Sequence, residues 1–333
     1  MASVQLFRQD MIHVVYNRNM HDILLPFGLL IVAGVAFRRF RINGLDADSL
    51  RHAINVMVLN IFLPALCIKI IYTSRIDAEI VLVPAVAWIS ITLALLLAAA
   101  AYRLLGEKLP VRPSEKGVLM LSAAFGNVSY LGLPVLTGLY GYEAARYALF
   151  YDLLASTPLL WLAGAPIAAR YGEGRKIEVR ESLKTIVSLP PIWGLGAGAV
   201  LNAAHIPLPA FVLSALGMLG NLVVPLMVFS IGLALTLPKV SHAYIIIPAV
   251  IIKLAVVPFV SYAAADMLGL KGIALASCLL EGAMPTMVLS LLIAARFNLD
   301  VSLSAFIIVV TTALSFITLP CAAHLAQLVA RWA

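Results

Sequence analysis

Apolar residues fall in ten long runs, at roughly 21–40, 50–73, 78–105, 115–140, 143–169, 184–203, 208–237, 241–268, 271–296 and 300–330. About 20 apolar residues suffice to cross a hydrocarbon core about 30 Å thick. The pattern therefore predicts ten transmembrane helices. Two runs are interrupted near their middle. One reads Ala124-Phe125-Gly126-Asn127-Val128-Ser129-Tyr130-Leu131-Gly132-Leu133-Pro134, the other Glu281-Gly282-Ala283-Met284-Pro285-Thr286. A helix broken at mid-depth frees backbone N–H and C=O groups, which a membrane tolerates only inside protein or along a cavity. The one clearly polar stretch between runs is Arg170–Ser182.

The two halves of the chain echo each other. Asn60 and Pro64 form an N-x-x-x-P in the second run, and Asn221 and Pro225 form another in the seventh, 161 positions on. Leu82-Val83-Pro84-Ala85-Val86 opens the third run and Ile246-Ile247-Pro248-Ala249-Val250 the eighth, 164 positions on. Pro134 and Pro285 mark the two interruptions, 151 positions apart. Five spans per repeat is odd, so the second repeat enters the bilayer in the opposite sense, as in inverted-repeat transporters. The expected organisation is an N-terminal segment 1–20, a first repeat 21–169, a cytoplasmic linker 170–183 and a second repeat 184–330. The N-terminal segment carries Val4, Leu6, Phe7, Met11, Val14 and Val15, a spacing that could form an interfacial helix. It has no signal-peptide h-region or cleavage site.

Composition makes the membrane assignment firm. The 333 residues are 62% hydrophobic and 12% charged, with mean hydropathy +1.02, where soluble domains carry roughly 25% charged residues. The net charge of +7 does not point to nucleic acid, because the basic residues lie at span ends, where they set orientation and meet lipid headgroups. Fifteen of the 23 Lys and Arg fall on the side of Arg51 and the linker, six on the other side, and Lys69 and Lys253 within spans. The linker side is then cytoplasmic and both termini extracytoplasmic, in a multi-pass protein of the cell (inner) membrane. Cys67, Cys278 and Cys321 lie in spans without metal-ligand spacing, and packing suffices to explain them.

The interruptions carry the candidate chemistry. Half-helices starting near Leu133–Pro134 and Pro285–Thr286 would present N-terminal ends, with free N–H groups and about half a positive charge each, to one anion. Gly126, Gly132 and Gly282 permit close approach of backbone or ligand. Asn127 offers donor and acceptor to a ligand, or caps a half-helix. Tyr130, Met284 and Thr286 complete the candidate binding set with Pro134 and Pro285. Ionisable groups inside spans are functional candidates by default. Glu281 could carry a proton, touch substrate or cap the break. Asp152 could carry a proton or pair with Lys253, and Lys253 could attract an anion. Lys69, near a span end, is expected to snorkel. Coupling to H+ or Na+ is open, and no cofactor or metal is expected, since the histidines form no metal-ligand set. Gly194-Leu195-Gly196-Ala197-Gly198 lacks the strand and Lys of a phosphate loop and suits close helix packing.

Gly126-Asn127 with Leu131-Gly132-Leu133-Pro134, Ala283-Met284-Pro285 followed by Leu292–Arg296, Asn60-Ile61-Phe62-Leu63-Pro64-Ala65-Leu66, and the closing Thr311–Pro320 together resemble the auxin efflux carrier family, which includes bacterial malate and malonate permeases and plant PIN-type carriers. The resemblance runs from about residue 22 onward. It implies an all-α fold of ten helices in a 5+5 inverted repeat, with helices 4 and 9 broken and crossing, of the NhaA-like and bile-acid-symporter-like kind. It also implies a scaffold of helices 1, 2, 6 and 7, a transport domain of helices 3–5 and 8–10, elevator-type alternating access, small organic anion substrates, and a homodimer through the scaffold. The long hydrophilic loop of many plant members is absent, which favours a bacterial-type carrier. The alternative within transport is a proton- or sodium-coupled carrier of bile-acid-like or other larger anions. An enzyme would need a nucleophile–base or metal set, and none is legible. A channel fits broken inverted repeats less well than a carrier.

Overall fold

The computed structural model describes residues 20–40, 46–106, 109, 111–172, 178–235, 240 and 242–332. The expected interfacial helix at the N-terminus lies outside them, as does 173–177 of the linker. All regular structure among the described residues is helical, apart from one isolated β-bridge. In chain order the helices are α1 (Met20–Phe37), α2 (Ala47–Thr73), α3 (Glu79–Leu104), α4 (Pro113–Ala124), α5 (Val128–Tyr140), α6 (Tyr142–Tyr171), α7 (Val179–Val187), α8 (Pro190–Ala203), α9 (Ala210–Ala234), α10 (Ala243–Met267), α11 (Gly272–Ala283), α12 (Leu289–Arg296) and α13 (Val301–Trp332).

Six of these helices (α2, α3, α6, α9, α10 and α13) are long and apolar enough to cross a bilayer, and the pair α7 and α8, bent by 60°, would make a seventh. The expected spans at 115–140 and 271–296 are each two short helices, as their internal glycines and prolines foretold. The sixth span differs from expectation. Residues 179–183, assigned to the linker, are helical, and the chain turns before Pro190-Pro191. Proline disfavours helical geometry in the residue before it and removes a donor, and Leu189, before Pro190, is extended (φ −72°, ψ 120°), which ends α7 short of α8.

Inside the long helices, prolines are absorbed by a repeated device. Pro64, Pro134, Pro158, Pro166 and Pro258 each stand two positions after the last residue of a five-residue π-helical turn: Val58–Phe62, Val128–Gly132, Asp152–Ser156, Leu160–Gly164 and Ile252–Val256. The proline ring would strike the carbonyl four residues back, and it donates no bond to that carbonyl. Widening the turn removes the clash and leaves the carbonyl free. Before Pro158 the freed carbonyl is that of Leu154, and it accepts the indole N–H of Trp88 on α3 at 3.2 Å. The two N-x-x-x-P motifs both mark irregular helix: Asn60 lies in a π turn, and Asn221 ends a regular segment of α9 at a single turn residue before Val223.

Two groups of helices pack internally. α1, α2, α8 and α9 form one, and α3, α4, α6, α10, α11 and α13 the other. Apolar side chains such as Leu29, Trp193, Phe211 and Phe259 are exposed around the outside. In lipid that exposure costs little, and helices associate by close packing at small residues. Gly194 and Gly198 of α8 lie so near the backbone of Pro64 and Ile68 that an added Cβ would come within 3 Å of a carbonyl oxygen. The glycine-rich stretch is thus a packing surface. Gly34 of α1 and Gly232 of α9 meet each other in the same way.

Candidate functional site

The two interruptions lie side by side. Asn127 N–H donates to Pro285 O at 2.7 Å, and Met287 N–H donates to Phe125 O at 2.9 Å, forming an antiparallel bridge between Gly126 and Thr286. Each break thus satisfies backbone groups that the other frees, as a low-dielectric interior requires. Thr286 fixes the bridge from both ends: its N–H donates to Thr311 Oγ1 at 3.2 Å and its hydroxyl donates to Ser122 O at 2.9 Å.

The half-helices begin elsewhere than expected. α5 starts at Val128, not at Leu133–Pro134, because a π turn accommodates Pro134. α12 starts at Leu289, because Pro285 and Thr286 are held in the bridge. Asn127 caps α5 with its backbone carbonyl, which accepts from Leu131 and Gly132 at 3.1 Å. Its side chain makes no capping bond, and its Nδ2 is buried without a partner.

Both N-terminal ends border one cavity of about 450 Å3, where Tyr130 stands for the first turn of α5 and Val288 and Leu289 for the start of α12. The opposite wall is α2, with Arg51, His52, Asn55, Val56, Leu59 and Asn60. Asn55 ties the walls together: its Oδ1 accepts from Ser230 Oγ at 2.9 Å and from Tyr130 OH at 3.4 Å. A second cavity, of about 350 Å3, lies at the other end of α2 and is lined by Thr73, Ser74, Arg75, Tyr142, Glu143 and Arg146.

The sequence profile of membrane transport proteins matches residues 26–322. The chain belongs to the membrane transport protein family. This is the family of the auxin efflux carriers, as the motifs suggested. Among its relatives, an uncharacterized transporter of Methanothermobacter thermautotrophicus is 27% identical over 306 residues, covering 90% of this chain and 96% of the relative. An uncharacterized transporter of Methanocaldococcus jannaschii is 32% identical over 238 residues, covering 68% of this chain and 71% of the relative. The multi-pass membrane architecture is that of a transporter.

Of the candidate binding residues in this family member, only Tyr130 lines the cavity. Gly126, Asn127, Gly132, Pro134, Gly282, Met284, Pro285 and Thr286 are buried behind it. The glycines make room for side chains of the protein. A Cβ on Gly126 would lie 3.2 Å from Lys253 Nζ, one on Gly132 2.0 Å from Glu281 Oε2, and one on Gly282 2.4 Å from Ser261 Oγ.

The charged candidates separate. Asp152 does not pair with Lys253. Its carboxylate accepts from Ser129 Oγ, in the first turn of α5, and from Thr157 Oγ1 at 2.8 Å. An acidic group beside that N-terminal end suits the helix dipole. Lys253 donates instead to Gly282 O at 2.9 Å. Glu281 is 1% exposed, and neither carboxylate oxygen has a hydrogen-bond partner. Lys69 is half-buried, its ammonium 5.1 Å from the centroid of the exposed Tyr142 ring and against Gly217. Sequence reasoning missed Arg51, His52 and Asn55 as cavity residues, having counted Arg51 only toward orientation. The signal was the spacing of Arg51, Asn55 and Leu59, which puts three cavity residues on one helical face.

Proposed function

We propose that the protein carries small organic anions across the membrane by alternating access. The observation that carries this reading is the convergence of two half-helix N-terminal ends, at Val128–Tyr130 and Val288–Leu289, on one cavity with Arg51 at its wall. Free N–H groups and aligned dipoles favour a carboxylate there. Val56, Leu59, Leu289 and Leu292 supply apolar walls, and the volume is in the range of pockets that hold drug-sized ligands. Within the range of auxin-like, malate-like and malonate-like substrates, this lining favours a carboxylate with an apolar body.

On this reading, α4 with α5, α7 with α8, and α11 with α12 each make one span. The total is then ten, in two inverted repeats of five whose broken helices cross at the Gly126–Thr286 bridge. The packed group α1, α2, α8 and α9 is the scaffold, and the other group moves along it as an elevator. Two cavities at opposite ends of α2, both walled by α2 on one side, are what such a movement calls for. By the positive-inside rule the Arg51 end faces the cytoplasm of a cell-membrane protein and the termini lie outside. The scaffold surface is available to a second copy.

A thermal-shift screen of the purified protein tests the reading. The panel is malonate, malate, indole-acetate and a bile acid, followed by uptake of any hit into proteoliposomes. Saturable stabilisation and uptake of a carboxylate, weakened in Arg51→Glu, are expected. Stabilisation by none of them, or uptake unaffected by Arg51→Glu, overturns the assignment.

A further inference from the structure

Lys253 is 1% exposed, in the π turn of α10, and it touches neither cavity. Its ammonium donates at 2.9 Å to the carbonyl of Gly282, in the last turn of α11. The last four carbonyls of a helix lack intrahelical partners, and they give that end about half a negative charge. α4 likewise ends at Ala124, just before Gly126, and the Lys253 Nζ and Cε both lie 3.2 Å from where a Gly126 Cβ would stand. Glu281 adds a buried carboxylate on the same helical end, without any hydrogen-bond partner. Two helix C-terminal ends thus meet at one ammonium, with a carboxylate buried on the second of them.

In carriers built from broken helices, unwound carbonyls and half-helix C-terminal ends are where a coupling cation binds. A cation there offsets the dipoles and freed carbonyls that would otherwise face a low-dielectric interior. Gly126 has no side chain to obstruct the amine, and Gly282 offers it an oxygen.

We propose that Lys253 is a tethered counter-cation, occupying the place that a coupling Na+ would take, so that the folded carrier needs no Na+ and removal of the side chain opens a site for a small monovalent cation. The inference is independent of which anion is carried. It assigns Lys253 a positioning role: the side chain holds the two breaks together by neutralising them.

The test is thermal unfolding of the full-length protein in detergent, at constant ionic strength, with choline chloride replaced stepwise by sodium, lithium or methylammonium chloride. The wild type is expected to respond alike to all four salts. Lys253→Ala and Lys253→Met are expected to melt lower and to recover about 2 °C or more, saturably, with methylammonium or Na+. Lys253→Arg, which keeps the charge, should stay indifferent to the salt. A saturable, Na+-specific rise in the wild type overturns the proposal, and this arm decides the matter even if the variants fail to fold. Folded Lys253→Ala and Lys253→Met proteins that respond to no cation overturn it too. No arm contains an organic anion, so a failed anion assignment leaves the outcome readable.

Discussion

The amide of Asn127 donates to the carbonyl of Pro285 at 2.7 Å, so the two interruptions are held by backbone and the Asn127 side chain is left out of the bond. This separates structural from functional duty within one residue. The bridge survives any side chain that tolerates the backbone geometry, while the amide nitrogen remains buried, polar and unspent.

Asn127→Ala should therefore fold. If that unspent amide donates to the carboxylate during the transport cycle, uptake into proteoliposomes is expected to fall about tenfold or more. The melting temperature should stay within about 2 °C of wild type. Pro285→Ala is different in kind: it introduces a buried N–H beside the bridge. It should lower both uptake and stability, the latter by about 1–3 kcal/mol if no acceptor is found.

Gly132 and Glu281 form a steric pair. A Cβ on Gly132 would come 2.0 Å from Glu281 Oε2, so Gly132→Ala should destabilise by about 1–3 kcal/mol, as overpacking does. Truncating the partner removes the clash. The double variant Gly132→Ala, Glu281→Ala should be less unstable than the two single losses predict, by about 0.5–3 kcal/mol in a double-mutant cycle read by denaturant unfolding. Additive losses would mean that Glu281 swings away at no cost and that the contact carries no energy.

Where hydrophobicity and proline set the structure, the sequence was readable. The long apolar runs became helices, and both breaks fell on the glycine–proline segments. What it could not give was which residues face which side of a break. Pro134 looked like a helix start because proline favours the first turn, yet a π turn absorbed it six residues inside α5. Gly132 and Gly282 looked like ligand contacts, but tertiary packing filled their spaces with Glu281 and Ser261. Lys253 and Asp152 looked like partners because each was a lone charge in a span, and nothing local told that nearby hydroxyls and a carbonyl would satisfy them first.

Arg51 faces the cavity beside His52 and Asn55. Reversing its charge in Arg51→Glu should raise the KM for a carboxylate about fivefold, the effect of about 1 kcal/mol of lost attraction at a solvated site, with a smaller change in kcat. The difference between wild type and variant should shrink as salt rises from 0.05 to 0.5 M, because the Debye length drops below about 10 Å. Initial-rate uptake at two ionic strengths checks both. An equal fall in kcat with KM unchanged would mean that Arg51 serves the fold rather than the anion.

Asn55 makes two bonds of different kinds, and the difference bears on mechanism. Ser230, on α9, belongs to the same packed group as Asn55, whereas Tyr130 sits in α5, across the cavity. If one group slides along the other, the Tyr130 contact must break in every cycle and the Ser230 contact need not. In a background with Cys67, Cys278 and Cys321 replaced, the pair Asn55→Cys, Tyr130→Cys bridged by a mercury crosslinker should abolish uptake, with recovery on adding excess thiol. The pair Asn55→Cys, Ser230→Cys treated identically should keep most of its activity. Tyr130→Phe alone removes a 3.4 Å bond, a length at which little energy is stored, and should change kcat by less than about threefold, since 0.6 kcal/mol or less is at stake. Equal inhibition by both crosslinks would show that α2 and α9 also move against each other, and would rule out a rigid scaffold made of those two helices.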